Sequence, residues 1–309
     1  MGITSRERVE MALQHEETDR IPIDLGSSRS TGINANAYQE LKRYLGNEKE
    51  TVCFDVKQDL AYPDFEILKR LGSDVVILPR LVPSVGIPID KMVPGELPQN
   101  GGSCLLSAAF HPKDLGDGTE GIFDQEGHLL AKRPKNGLYF DECYNPLQDA
   151  ETPEDIDKNL TLPSISDYEM EWLRNRAKDI YENTDFCISG ATSTSLFEKG
   201  WKDWGMQTFM ENLYCEPELV EYYLDKMTDA YIVMMERYLD AVGDYVTVVQ
   251  NNDDFGEQRG MLLSPELYRK YFKPRHAKIN AAIRKKKKDI HISLHCCGSI
   301  YPIIGDIIE

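Results

Sequence analysis

Apolar and polar positions recur along this chain with two periods, and those periods predict its elements. Thr4 and Glu7 stand at capping-box spacing, and Val9, Ala12 and Leu13 follow at helical intervals, so a first helix is expected ahead of Pro22. "IPIDLG" reads as a short strand and "FEILKRLG" as a helix closed by Gly72. "SDVVILP" is continuously apolar, as a parallel strand covered on both faces would be. From residue 168 helix and strand alternate regularly: "YEMEWLRNRAKDIYEN" is a helix and "DFCISGAT" a strand with a polar tail. Pro217 opens a long helix whose Val220, Tyr223, Leu224, Met227, Tyr231, Met234, Met235 and Tyr238 form one apolar stripe. The strands "DYVTVVQ" and "DIHISLH" follow, separated by the helical segment that begins "SPELYRKYF".

Strand followed by helix, repeated, predicts parallel strands joined by right-handed crossovers. Neither a G-x-G-x-x-G turn after a strand nor a GKS/GKT phosphate loop is present. The expected fold is therefore α/β, a TIM-type (β/α)8 barrel, with its chemistry where strands end. Residues from about 101 to 150 break the pattern. "GIFDQEGHLLAKRP" and "GLYFDECYNPL" alternate and hold turn residues, which predicts a β-hairpin or two inserted into one domain spanning 1–309.

Charge narrows the partners. A net charge of -17 repels phosphate backbones, which argues against nucleic acid. The one basic run, Arg284 to Lys288, reads as a solvated helix end. No apolar run reaches the roughly 18 residues of a membrane span. The charged N-terminus does not read as a signal peptide, and seven irregularly spaced cysteines fit a reducing cytoplasm better than a disulfide framework.

The strand ends carry the candidate chemistry. After "DYVTVVQ", Asn251, Asn252, Asp253, Asp254, Glu257 and Gln258 crowd one loop, where turn propensity explains any one of them but six suggest a pocket. Gly190 to Ser195 are small and polar, while Trp201 and Trp204 form a wall or simply pack. In "HISLHCCGSI", a backbone extended through residue 297 puts His295 and Cys297 on one face and Cys296 on the other. Imidazole and thiolate together suit zinc, although a catalytic zinc uses three protein ligands and a lone H-x-C also fits a buried strand end. Asp253 and Gln258 are expected to project beside this pair.

Three segments, "SRERVEMALQHEETDRIPIDLG", "NNDDFGEQRGMLLSPELYRKYFKPR" and "HISLHCCGSIYPIIGDIIE", together resemble the uroporphyrinogen decarboxylase superfamily. The resemblance implies a (β/α)8 barrel, and because the chain stops at Glu309 it implies a barrel lacking its C-terminal unit. Two departures set it apart from true decarboxylases: "GSSRSTGINANAY" stands where an Arg-rich segment is usual, and Asp74 precedes its strand instead of ending it. The branch implied instead is that of the corrinoid-dependent methyltransferases, which move a methyl group between cobalamin and a thiol. In that reading His295 and Cys297 are zinc ligands, with the third ligand expected outside this chain. Asp253 and Asp254 are catalytic, Gln258 binds substrate, and a partner protein supplies the corrinoid. The alternative is tetrapyrrole decarboxylation, with Asp253 or Asp254 holding pyrrole N–H groups and Arg29 meeting a substrate carboxylate. A third reading is an inactive truncated barrel whose open strand edges would favour a homo-oligomer.

Overall fold

The computed structural model describes residues 2–97 and 102–309. The chain falls into two compact units, one of Met1–Tyr144, Asn175–Ala191 and Tyr245–Thr247, the other of Asn145–Arg174, Thr192–Asp244 and Val248–Glu309.

In the first unit the expected capping box is formed. Thr4 Oγ1 accepts from Glu7 N, and Thr4 N donates to Glu7 Oε2, at the start of helix Ser5–Leu13. Helix Phe65–Leu71 stops at Gly72, whose φ of 74° is left-handed. Strand Val75–Leu78 pairs in parallel with Cys187–Ala191. The segment "IPIDLG" is not a strand. Ile23 N donates to the Asp74 carboxylate and Leu25 N to Ser73 Oγ, so side chains stand where a ladder of carbonyls would. Asp74 itself is fully buried and accepts from Ser5 Oγ, Arg8 Nη1 and both terminal nitrogens of Arg20.

The expected insertion is larger than a hairpin or two. Met92–Glu96 pairs antiparallel with Ser103–Ser107, which in turn joins Thr51–Asp55 in parallel. Lys113–Asp114, Glu120–Phe123, Leu129–Arg133 and Asp141–Glu142 then form an antiparallel meander. Its inward residues Ile122, Ala131 and Phe140 pack with Val56 and Ile87. Residue 101, the expected start of the insertion, lies outside the described residues.

In the second unit the whole predicted stripe of helix Pro217–Val242 is buried. Trp204 packs as core, stacked on Phe209 and edge-on to Tyr223. A Cβ at Gly200 would lie 2.2 Å from the Phe209 ring, so the helix Phe197–Trp204 seats there without strain only while position 200 has no side chain, and any larger residue must displace that ring. Strand Val248–Asn252 pairs in parallel with His291–His295, in register from Val248–His291 to Asn252–His295. The segments that follow these strands therefore leave side by side. Helix Lys273–Lys286 is preceded by a π-turn over Tyr268–Phe272, just ahead of Pro274, whose missing N–H disturbs the regular ladder. The basic run is a solvated, paired helix end as expected, with Lys286 on Asp240 and Lys287 near Asp244. The fold is thus mixed α/β with parallel strand pairs. Among the described residues the strands close no barrel, and no helix is long and apolar enough to cross a membrane.

Two outcomes are expected. Asp74→Asn should cost about 1–3 kcal/mol in urea unfolding, because it removes the buried charge that faces Arg8 and Arg20 and leaves Arg8 only its pairing with Asp19. Burial pushes the Asp74 carboxyl up, but its arginine, amide and hydroxyl donors outweigh burial and hold it below the usual range. A depressed folded pKa contributes stability that is present above the unfolded value and lost as pH falls, so the gap between wild type and variant should close in acid, below about pH 4. Gly200→Ala should destabilise by about 1–3 kcal/mol through overpacking against Phe209, read as a lower urea midpoint with unchanged slope.

Candidate functional site

In the second unit the loops that leave the paired strands touch backbone to backbone. A Cβ at Gly298, whose φ is 75°, would lie 2.3 Å from the Gly256 carbonyl carbon, and one at Gly256 would meet Ser299 N at 2.8 Å. Only glycine permits that approach. Ser299 N donates to Glu257 O and Asp253 N to His295 O, both at 2.9 Å, which seals the two loops together.

This junction brings together three donor atoms of different kinds. His295 Nε2 lies 3.3 Å from Cys297 Sγ and 3.7 Å from Asp254 Oδ1. Asp254 Oδ1 also accepts from Cys297 N at 2.6 Å, which fixes the carboxylate against the turn that carries the thiol. One ligand atom from each of Asp254, His295 and Cys297 falls within 4.8 Å of the others. Cys296 turns the other way, its sulfur accepting from Phe255 N at 3.2 Å. Burial and then the neighbouring Asp254 push the Cys297 thiol up to about 11.

The other acid of the pair has a different place. Asp253 is fully buried and accepts from Ser195 Oγ, the backbone N–H groups of Leu196, Phe197 and Glu198, and His276 Nε2, all within 2.9–3.1 Å. It caps the start of helix Phe197–Trp204, where a carboxylate meets unpaired amides and the positive end of the helix dipole. The side chain expected to project beside His295 and Cys297 is thus turned inward, and Asp254 stands there instead.

Gln258 sits at the exposed tip of a tight reversal. Glu257 N donates to Gly260 O and Leu262 N to Phe255 O, so residues 258 and 259 are carried out to solvent. Arg29 belongs to the first unit, where its Nε lies 2.7 Å from the fully buried Asp55. Glu198 and His276 escaped sequence reasoning. Glu198 is half-buried near the acid pair, and burial, then Asp254 and Asp253, push its carboxyl up against the opposing pull of Lys202. No spacing rule links it to residues in a strand-end loop far along the chain, although its position just after "DFCISGATSTS" is itself a strand-end one. A second cluster, Asp124, Glu126 and His128, lies on the turn between two strands of the first unit's meander. There Asp124 accepts from both the backbone and ring nitrogens of His128, a turn-stabilising arrangement.

No curated protein matches the chain. Among solved structures, a methyltransferase from Methanosarcina mazei is similar over 99% of this chain and 74% of that one, at 19% identity and a TM-score of 0.53, a likeness of fold. The family model described as uroporphyrinogen decarboxylase (URO-D) matches residues 139–309, a span that holds Glu198, the acid pair, His276, His295 and Cys297. That match covers more than half of the sequence, and the chain belongs to the uroporphyrinogen decarboxylase family.

Proposed function

We propose that this protein is a zinc-dependent methyltransferase that moves a methyl group between a corrinoid and a thiol. The observation that carries the proposal is the convergence of Asp254, His295 and Cys297 at one junction. A tetrahedral zinc with bonds of about 2.0–2.3 Å separates its donors by roughly 3.4–3.6 Å. The 3.3 and 3.7 Å separations from His295 Nε2 bracket that spacing. The donor chemistry fits as well: a carboxylate, an imidazole and a thiol stand together with a second acid, Glu198, close by, and such a set favours a cation. Asp254 takes the part of the third ligand that the sequence placed outside the chain, and three protein ligands leave a position for a substrate thiol.

Bound there, zinc would lower the pKa of that thiol toward the reactive thiolate. The residues of this chain supply the rest. Cys297 N holds Asp254 Oδ1, so the carboxylate needs little reorganisation to act as a ligand. The backbone bond from Asp253 N fixes the end of the strand that carries His295. The corrinoid is assigned to a partner protein, and the methyltransferase identity of the fold neighbour supports the reaction class. Tetrapyrrole decarboxylation, the activity in the family's name, is less well supported. Asp253 is already saturated with donors, and Arg29, the proposed cation, is matched by Asp55.

Purified protein should carry close to one zinc per chain, and His295→Ala, Cys297→Ser and Asp254→Ala should each lose most of it on dialysis, measured by elemental analysis. Full metal retention in all three variants would remove the site. With methylcobalamin and a panel of small thiols, the protein should form methyl thioether, lose that activity to a chelator and recover it with zinc. Release of carbon dioxide from uroporphyrinogen without methyl transfer would favour the decarboxylase reading.

A further inference from the structure

We infer that Asp253 and His276 form a buried positioning pair that holds the metal-binding junction in shape, without touching metal or substrate. The inference rests on the metal reading above and extends it to residues outside the donor set.

Asp253 reaches every part of the junction. Its side chain accepts from Ser195 Oγ, from three consecutive amides, Leu196 to Glu198, and from His276 Nε2. Its own N–H donates to His295 O. Its successor in the chain is the proposed ligand Asp254. One residue thereby ties the strand end that carries Asp254, the strand end that carries His295, and the helix start that carries Glu198. A buried carboxylate is costly unless donors surround it, and here both oxygens are occupied. Oδ1 takes Ser195 Oγ and two amides, and Oδ2 takes the third amide and the imidazole.

His276 is the donor from the opposite side. It stands on helix Lys273–Lys286, with its ring edge-on to Phe255 and tilted against Tyr268. Those rings leave the imidazole little freedom to turn away from Asp253. The π-turn Tyr268–Phe272 lies immediately upstream, and by widening one turn it changes the angular phase at which His276 is presented. The arrangement parallels the outer-shell partners that orient metal ligands elsewhere, whose removal typically weakens metal binding about 10- to 100-fold. Here the orientation is transmitted through backbone instead of through a ligand's own side chain.

Titration of the full-length protein with Co2+, followed by its thiolate charge-transfer and ligand-field absorption, tests this directly. Wild type should bind with a thiolate band. Asp253→Asn should bind about 10- to 100-fold more weakly, with altered ligand-field bands. His276→Leu should behave like Asp253→Asn, while His276→Gln, which keeps a donor, should bind close to wild type. Tyr223→Phe is the control: it removes a buried hydrogen bond to Asp203 in the same unit and should leave Co2+ affinity and spectrum unchanged. The inference is overturned if Asp253→Asn and His276→Leu bind Co2+ as wild type does, or if Tyr223→Phe loses as much affinity as they do. Should Asp253→Asn not fold, the contrast between His276→Leu and His276→Gln decides the question in the same terms. Failure of wild type to bind Co2+ at all would instead bring down the metal reading itself, with this inference.

Discussion

The distance between two backbones governs the rest of the site. Gly256 and Gly298 let the loops after two adjacent parallel strands meet without side chains between them. The donors of Asp254, His295 and Cys297 lie within reach of one another because of that contact, and every hydrogen bond described across it is donated by a backbone N–H. Any Cβ at position 298 would collide with atoms of the opposite backbone, which no rotamer change relieves. A site organised in this way is specified by what is missing from two residues as much as by the ligands themselves.

Buried carboxylates show how environment decides the use of a residue. Asp74 and Asp253 are both fully buried and both surrounded by donors. Asp74 gathers two arginines, a serine and a backbone amide, and so ties the N-terminal helix to the start of a strand. Asp253 gathers the amides at the beginning of a helix. Asp254, next in sequence, keeps part of its surface in solvent and one oxygen near two other donors. Adjacent acids point to opposite sides of an extended backbone, so one serves the interior and the other the site.

Much of the architecture was legible because periodicity is local. The capping box at Thr4, the αL glycine at Gly72 and the stripe from Val220 to Tyr238 each follow from a few neighbouring residues. The H-x-C pair was legible for the same reason: two residues apart on an extended chain share a face. The segment "IPIDLG" was misread because its backbone partners are side chains of Ser73 and Asp74, which strand propensity ignores. The choice between Asp253 and Asp254 was equally hidden, since it depends on where the amides of residues 196–198 and the ring of His276 lie. Glu198 joined the neighbourhood only through the fold, by way of its amide on Asp253. Gln258 looked like part of a polar pocket in sequence, whereas a four-residue reversal lifts it to the surface.

The in-register pairing of Val248–Asn252 with His291–His295 has a further consequence for how the site tolerates change. Side chains along a strand alternate faces, so sliding one strand by a single residue exchanges every inward position for an outward one. Such a slip would present Leu294 and Cys296 where His295 and Cys297 now stand, and would carry Gly298 away from Gly256. Insertions or deletions within either strand would thus abolish the donor set in one step, without a graded series of weaker sites. The exposed reversal around Gln258 and Arg259 is the place where added residues would leave the register untouched.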